Sequence, residues 1–354
     1  MAQQARSVEA GLTEESAMPR TYVMVVILVL GLWAGVAYPA DEERLSTPIL
    51  GAEEQQAKEE GMRLYGIRWR SVAIPHLEKA AEAGDVESMY TLGEIHRFMD
   101  RGMSREAIDW YHSAALGGDP HAMLRLERGM ICELADICPE EHDTWVDKAL
   151  EQELPKAKAG DTEAMIALRS IYAVLEQPDT AEQWLRKAAE AGNPHAQDWW
   201  ARSIQNRSGE LPPKLEDVKA AEPWFRKAAE QGYAPAMNNL VLNLIRQEKM
   251  QAAWNWVIKG SEHGHVRKRT TYGFCHLGTG ELIDYCHPDE PDPVKGWAVL
   301  HAVYEETRNS TAESLLGRFQ HLLTDEEIAQ AEKLAEDWLN RDPPLSYFPP
   351  KYGF

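Results

Sequence analysis

The chain has 354 residues, of which 44% are hydrophobic and 27% are charged, a composition typical of folded globular proteins. Its 57 Asp and Glu against 37 Lys and Arg give a formal charge of -20, so it lacks the basic surface that nucleic-acid binding requires. Four cysteines are too few for a disulfide scaffold in a chain of this length. These numbers exclude a disordered chain, a nucleic-acid-binding protein and a small disulfide-rich fold.

An apolar segment near the N-terminus predicts insertion into a membrane. Residues 22–38 read YVMVVILVLGLWAGVAY and are about long enough to cross a thin hydrocarbon core as a helix. Arginines before the segment and acidic residues after it place the N-terminus in the cytoplasm and the body outside. The long acidic leader favours an uncleaved anchor over a cleaved signal peptide or a buried core helix. We therefore predict a cytoplasmic leader at 1–20, a transmembrane helix at 21–40 and a linker at 41–61, with the body in the periplasm and the anchor in the inner membrane.

A recurring phrase along the body predicts an array of helix pairs. It reads HLEKAAEAG at 76–84 and WFRKAAEQG at 224–232, with related copies elsewhere. An aromatic residue or Leu followed by Ala-Ala marks one face of a helix, and the final glycine can adopt the left-handed conformation that ends a helix. These glycines recur every 32–42 residues or so, which suits a two-helix repeat. They are Gly84, Gly118, Gly160, Gly192, Gly232 and Gly264.

A second phrase follows each glycine and predicts the first helix of the next pair. Asp85, Asp119, Asp161 and Asn193 can accept hydrogen bonds from the free amides of a new helix. A small residue followed four positions later by a large apolar one then makes a stripe at helical spacing. One pair has too little apolar surface to fold alone, so neighbouring pairs must stack into a superhelix.

The repeat pattern breaks twice and ends in a predicted cap. Residues 204–222 contain the polar insertion NRSGELPPKLED, and residues 277–295 contain the loop HPDEPDP. Two degenerate helices follow, and a capping box from Thr324 to Glu327 then begins an amphipathic helix. The proline- and aromatic-rich tail is predicted to be extended. The predicted boundaries are 62–322 for the solenoid, 323–341 for the capping helix and 342–354 for the tail.

The repeat phrases resemble Sel-1-like repeats, which are related to tetratricopeptide repeats, over roughly residues 62–275. The resemblance implies an all-α, right-handed superhelical solenoid whose first helices line a concave side. An exported solenoid of this size with a capping helix also resembles the immunity proteins of type VI secretion phospholipase effectors. That likeness implies a periplasmic protein that binds and neutralises a lipase. The alternative is a cell-envelope scaffold or adaptor for secretion, polysaccharide or signalling complexes.

Positions off the apolar stripe of the first helices are predicted to face the concave groove. All but Arg97 lie two or six residues beyond the small residue of each unit, and together they form a mixed surface that contains arginines. The alternative interpretation is that these side chains are only exposed to solvent. The candidate contacts with a partner protein are Tyr90, Glu94, Arg97, Arg128, Ser170, Asp198, Arg202, Asn238 and Leu242.

The sequence contains none of the common catalytic motifs, so we predict a protein that is not an enzyme and that uses no cofactor, metal or small-molecule substrate. Cys275-His276 and Cys286-His287 resemble zinc ligands, but adjacent Cys-His pairs strain to reach one tetrahedral ion. An exported location favours disulfides, with free thiols as the remaining alternative. The predicted disulfides are Cys132–Cys138 and Cys275–Cys286.

Aromatic and histidine side chains give two further predictions. The tryptophans at the aromatic position of the second helix are predicted to lie in the core. His121 and His195 follow a proline in a first helical turn and are predicted to be surface groups rather than ligands. The predicted core tryptophans are Trp110, Trp184, Trp224 and Trp256.

Overall fold

A computed structural model describes residues 49–140, 144–278, 286 and 291–350. This part of the chain is helical apart from turns, loops and one isolated bridge between His265 and Ser346. Short 3-10 turns lie at Arg128–Met130 and Gln320–Leu322. The helices are α1 (Ala52–Gly66), α2 (Arg70–Glu82), α3 (Val86–Met99), α4 (Arg105–Leu116), α5 (Pro120–Glu127), α6 (Ile131–Ala135), α7 (Trp145–Lys158), α8 (Thr162–Val174), α9 (Pro178–Glu190), α10 (Pro194–Gln205), α11 (Leu215–Glu230), α12 (Ala234–Arg246), α13 (Met250–Glu262), α14 (Val266–His276), α15 (Pro293–Thr307), α16 (Ser310–Phe319) and α17 (Asp325–Ala335).

The predicted membrane segment at residues 22–38 lies outside the described residues. Among the helices that the structure does describe, none has both the length and the apolar character needed to span a bilayer.

The junctions between repeats are built alike. The six predicted glycines all have positive φ, between 71° and 101°. At the first junction the amides of Gly84 and Asp85 donate to carbonyls in the last turn of α2, which satisfies the free end of that helix. The side chains of Asp85, Asp119, Asp161 and Asn193 then accept hydrogen bonds from amides in the first turn of the next helix. The predicted stop and start signals are confirmed.

The helices pack in chain order as a solenoid of pairs. The pairs are α1 with α2, α3 with α4, α5 with α7, α8 with α9, α10 with α11, α12 with α13 and α14 with α15, and each second helix also packs on the next first helix. Both α16 and α17 pack against α15. The capping box of Thr324 and Glu327 is present, and α17 ends at Ala335 before the predicted limit because the chain turns over residues 336–340. The all-helical solenoid is confirmed for the described residues.

The array starts earlier than the predicted boundary at residue 62. Helix α1 begins at Ala52, inside the predicted linker, where AEEQQAKEEG is rich in residues that favour a helix. A Cβ on Gly61 would lie 2.7 Å from the side chain of Leu77. This glycine therefore lets α1 approach α2 closely, and α1 is the first helix of the first pair.

The aromatic position of the second helix is not the core position. Trp256 is buried, whereas Trp110, Trp184 and Trp224 are half-buried. A lysine of the same helix lies 4.2–4.6 Å from the ring centroid of Trp184, Trp224 and Trp256, so this contact occurs at half-buried and buried positions alike. The core prediction is therefore wrong for three of the four tryptophans. The buried side chain is the next one along: Tyr111, Leu185, Phe225 and Val257.

Candidate protein-interaction groove

The inner side of the array forms a groove with a volume of about 990 Å³. Its walls come from the first helices α1, α3, α8, α10 and α12, with part of α7 and the C-terminal tail. Seven carboxylates and three Lys or Arg side chains stand among the described residues that line it. The groove therefore presents net negative charge to a ligand.

Part of this charge is paired within the groove wall. Lys58 of α1 lies 2.8 Å from Asp85 and 3.1 Å from Glu87. Burial disfavours the charged form of Lys58, but the hydrogen bonds to these two carboxylates raise its pKa above the ordinary value. Lys156 lies 2.6 Å from Glu153 on α7. These contacts fix the wall between α1 and α3 and leave an acidic excess.

Glu94 is the centre of a buried network that joins two repeats. Its Oε1 accepts hydrogen bonds from the hydroxyl of Tyr111 and from Nε of Arg125, both at 2.8 Å. Its Oε2 accepts one from Nη2 of Arg97, also at 2.8 Å. Burial alone would raise the pKa of Glu94, but the charge of Arg125 and the donors around the carboxylate lower it. The network ties α3, α4 and α5 together with an ionised carboxylate at its centre.

Asp198 is a second buried carboxylate with fewer donors. Its Oδ1 accepts a hydrogen bond of 2.7 Å from the amide of Asn239 on α12. Its Oδ2 lies 3.3 Å from Nε of Arg202, one turn along α10. Burial raises the pKa of Asp198, because these two partners do not compensate for the lost hydration. Burial raises the pKa of the nearby Tyr233, and the negative charge of Asp198 raises it further.

The C-terminal tail crosses the groove as a strap. The amide of Ser346 donates to the carbonyl of Gly264 at 2.8 Å, and the amide of Tyr347 donates to the carbonyl of Gly66 at 2.9 Å. The strap therefore connects the end of α1 with the start of α14. At Gly264 a Cβ would collide with the carbonyl oxygen of Pro344, so a glycine is needed both for the positive φ and for this close approach.

Side chains reinforce the strap. The ring of Tyr347 lies under the guanidinium of Arg68, 4.0 Å from its carbon, and its hydroxyl accepts a hydrogen bond of 2.6 Å from Asn309. Leu345 is buried in the core. Residues 348–350 then continue along the groove as part of its wall. The described part of the tail contains no helix.

Four of the nine predicted contact residues reach this groove. Tyr90, Glu94, Asp198 and Arg202 are among its lining residues. Tyr90, Glu94 and Asp198 are nevertheless buried, so the interpretation as merely solvent-exposed side chains is wrong for these three. The groove lining in the described part of the chain does not include the other five, which are Arg97, Arg128, Ser170, Asn238 and Leu242.

The five that miss the groove do so for local reasons. Helix α5 ends at Glu127, and the chain then turns through Gly129 with φ 71°, so the helical offset does not hold at Arg128. Arg97 is held on Glu94. Ser170 is buried within α8, where the offset points between helices rather than into the groove.

The remaining two predicted contact residues, Asn238 and Leu242, lie on α12. The two histidines that were predicted to be surface groups, His121 and His195, differ in burial. Asn238 is half-buried and donates to Asn239, while Leu242 is exposed. His195 is half-buried, as a rim group would be. His121 is buried beside Tyr90, so the prediction that it is a surface group is wrong.

Several lining residues carried no periodic signal. Lys58 and Tyr65 belong to α1, which falls partly in the predicted linker, and the strap contributes Ser346 and Phe348. The contacts of the strap are with residues distant in sequence, so no repeat pattern marks them. Only the net negative charge of the whole chain indicated from the sequence that the groove would be acidic.

All four cysteines form disulfides in the structure. Cys132 and Cys138 have Cα atoms 4.7 Å apart and close the short helix α6 between α5 and α7. Cys275, near the end of α14, is bonded to Cys286 with Cα atoms 5.2 Å apart. Each bond stabilises a loop within a repeat rather than a junction between repeats.

The Sel1 repeat family matches the chain at residues 70–85, 86–119, 165–193 and 194–233. These four segments are the Sel1 repeats that the comparison finds in the chain. The unmatched stretch between the second and third matches is the pair of α5 and α7, which the Cys132–Cys138 loop interrupts. Sel1-repeat solenoids are typically non-enzymatic scaffolds for protein interactions, and the match indicates no catalytic family. No curated protein matches the chain.

Solved structures with similarity to this Sel1-repeat chain come from several bacteria. A protective antigen of uropathogenic Escherichia coli with an SLR fold is 22% identical, with a TM-score of 0.38 over 84% of this chain and 70% of that chain. A Sel1 repeat protein from Oxalobacter formigenes is 19% identical, with a TM-score of 0.40 over 82% of this chain and 88% of that one. An immunity protein from Pseudomonas aeruginosa is 17% identical, with a TM-score of 0.38 over 85% and 93%.

Proposed function

We propose that this Sel1-repeat protein is anchored in the inner membrane, holds its solenoid in the periplasm and neutralises a type VI secretion phospholipase effector by binding it in the groove. The observation that carries the proposal is the groove itself, about 990 Å³ in volume and lined by seven carboxylates against three Lys or Arg side chains. The partner class comes from the resemblance of the repeat, export segment and capping helix described above.

The charge of the groove suggests how neutralisation works. A lipase that acts on anionic membranes presents basic side chains to the lipid surface. A groove lined by carboxylates is complementary to such a surface and competes with the membrane for it. Binding then obstructs the docking face or the active site of the lipase, and the cell's own phospholipids are protected.

The proposed location is consistent with two features of the chain. Residues 22–38 have the composition of a membrane anchor. The disulfides of Cys132 with Cys138 and of Cys275 with Cys286 are typical of proteins in an oxidising compartment such as the bacterial periplasm. Labelling of an added cysteine in the body by a membrane-impermeant reagent in intact spheroplasts tests the orientation.

The test of function uses the full-length protein in detergent and a purified type VI secretion phospholipase effector. We expect one-to-one binding with a Kd in the nanomolar range (about 1–10 nM) or tighter and loss of phospholipase activity on binding. Glu163→Lys reverses a charge inside the groove and is expected to weaken binding by about tenfold or more. Glu82→Lys makes the same change on an exposed position of α2 away from the groove and serves as the matched control.

The outcomes separate the two interpretations of the sequence. Equal loss of binding in both variants would show that net charge rather than the groove matters. Several envelope proteins held weakly, with no lipase inhibited, would contradict the immunity function and support the scaffold. A tight lipase complex that Glu163→Lys leaves unchanged would place the interface on another face.

A further inference from the structure

An arginine of one repeat lies on a tryptophan of the next, beside the groove. The guanidinium carbon of Arg169, on α8, lies 4.0 Å from the ring centroid of Trp199, on α10. Arg202 places a second guanidinium carbon 6.0 Å from the same centroid. The ring of His195 is stacked on this indole with centroids 5.4 Å apart and an interplanar angle of 15°. His195 and Arg202 line the groove, and only the indole of Trp199 separates Arg169 from these lining residues.

The position of Arg169 in its helix carries a glycine in another repeat of the chain. Gly93 occupies the equivalent position of α3, five residues beyond the small residue, and a Cβ there would lie 2.6 Å from the ring of Tyr111. In α8 the same position carries an arginine whose side chain extends to the neighbouring repeat. The stack therefore belongs to this pair of repeats and cannot form at the equivalent position of α3.

Arg169 has no counter-ion among the described residues. Within the described parts of the chain it makes no hydrogen bond and no ion pair, whereas the exposed Arg186 and the half-buried Arg226 each lie within 2.8 Å of a carboxylate. Partial burial, and then the charge of Arg202, lower the pKa of Arg169, with no carboxylate acting in the opposite direction. None of the carboxylates in the described residues therefore pairs with this half-buried cation.

Such an arrangement favours binding of a carboxylate from outside. Stacking on an indole fixes the plane of a guanidinium, so little side-chain entropy is lost when its N–H groups bind a ligand. A guanidinium and a carboxylate match in a bidentate geometry, and such charge-assisted hydrogen bonds are stronger than neutral ones. Tryptophan, tyrosine and arginine are also the side chains enriched at the energetic centres of protein interfaces. Tyr233 extends the patch, with its ring 6.0 Å from that of His195.

We propose that Arg169, held on Trp199 and assisted by Arg202, is a binding site for a carboxylate side chain of the partner protein. The proposal rests on the proposed function, because it assumes that a protein occupies the groove. It also sharpens the chemistry of that partner. The carboxylates of the groove select a basic surface, and the Arg169 site selects one Asp or Glu within it.

The test uses two peptide probes that differ in one group. They are dye-labelled Lys-Lys-Glu-Lys and Lys-Lys-Gln-Lys, both with blocked ends, titrated against the full-length protein in detergent to about 5 mM. We expect Arg169→Gln to weaken binding of the Glu peptide by about three- to tenfold and not to weaken binding of the Gln peptide. The Nε–H signal of Arg169 in NMR spectra of the wild-type protein should shift with the Glu peptide and not with the Gln peptide.

Two variants control this experiment. Arg186→Gln removes an exposed arginine on the outer helix α9 and should leave binding of both peptides unchanged. Arg169→Lys keeps the positive charge but loses the planar guanidinium that can bind a carboxylate through two hydrogen bonds. This variant should therefore bind the Glu peptide more weakly than the wild type. Near-UV circular dichroism of each variant checks that the tryptophan environment, and hence the fold, is retained.

The possible failures are distinguishable. If both peptides bind and Arg169→Gln affects them equally or not at all, the carboxylate site is overturned while the acidic groove stands. If neither peptide binds the wild-type protein and no Arg169 signal shifts, both the site and the proposed groove function are overturned. If the Glu peptide binds through Arg169 but the lipase does not bind, the carboxylate-binding site is supported and the proposal that the partner is a lipase is contradicted.

Discussion

Glu94 and Asp198 are buried carboxylates in the wall of the same groove, yet their pKa values move in opposite directions. Glu94 accepts hydrogen bonds from two arginines and a tyrosine, and its pKa is lowered although burial opposes this. Asp198 has a neutral amide at 2.7 Å and a half-exposed arginine at 3.3 Å, and its pKa is raised by burial. The number and charge of the donors, rather than the depth of burial, set the charge of these groups.

The two centres therefore serve different purposes. Glu94 accepts hydrogen bonds from α3, α4 and α5 side chains and so ties these three helices together. Asp198 has fewer donors, and an added Lys or Arg close to it would favour its ionised form. The Glu94 end of the groove therefore holds a carboxylate whose ionised form is favoured, whereas at the Asp198 end burial favours the neutral form.

The largest expected effect comes from Glu94→Gln. This change removes the carboxylate that lies 2.8 Å from the buried Arg125, and breaking such a buried pair typically costs about 3–5 kcal/mol of the free energy of unfolding. Urea denaturation followed by tryptophan fluorescence measures the cost. Asp198→Asn is the matched control, and we expect a change smaller than about 1 kcal/mol, because an uncharged amide avoids the desolvation that raises the pKa of Asp198. Equal costs for the two variants would contradict the difference drawn here.

The regular part of the fold could be predicted from the sequence, because its signals are local. Each junction needs a glycine that ends one helix and an Asp or Asn that begins the next, and both lie within a few residues of each other. The helix stripe is likewise read from residues three and four apart. The same local counting placed Glu94 in the groove wall correctly.

The remainder depends on contacts between residues distant in sequence. That Glu94 would be enclosed by Arg125 of the next repeat cannot be derived from a helical offset, since the two lie 31 residues apart. The strap is a clearer case, because Tyr347 binds the carbonyl of Gly66 and no periodicity connects them. The offset also fails at Arg128, where a left-handed turn ends the helix early. The core position was misjudged by one residue at Trp224, where the next side chain, Phe225, is the buried one.

The pH dependence of stability should separate the two centres by sign. The pKa of Glu94 in the folded protein lies below its ordinary value of 4.5, so its contribution is present above about pH 4.5 and is lost as the pH falls through the lowered value. The pKa of Asp198 lies above its ordinary value of 3.8, so the folded state gains stability from its protonation at low pH and loses it as the pH rises through the raised value.

Unfolding of the wild type, Glu94→Gln and Asp198→Asn between about pH 3 and pH 7 measures these contributions, at about 1.4 kcal/mol for each unit of pKa shift. The difference between wild type and Glu94→Gln should shrink as the pH falls. The stability of the wild type relative to Asp198→Asn should decline as the pH rises. The same sign for both differences would show that burial, and not the donors, controls the two groups.

The smallest effects are expected from the two half-exposed arginines, Arg97 and Arg202. Each pairs with a buried carboxylate from a partly solvated position, so Arg97→Gln and Arg202→Gln should each lower the free energy of unfolding by about 1 kcal/mol or less near pH 7. Their effects on the carboxylates should differ. Glu94 keeps Arg125 and Tyr111 when Arg97 is removed, whereas Asp198 keeps the neutral donor Asn239 and no arginine that the structure shows within hydrogen-bonding distance. The pKa of Asp198, followed by the carboxyl ¹³C signal in NMR spectra, should therefore rise further in Arg202→Gln, while that of Glu94 stays below its ordinary value in Arg97→Gln.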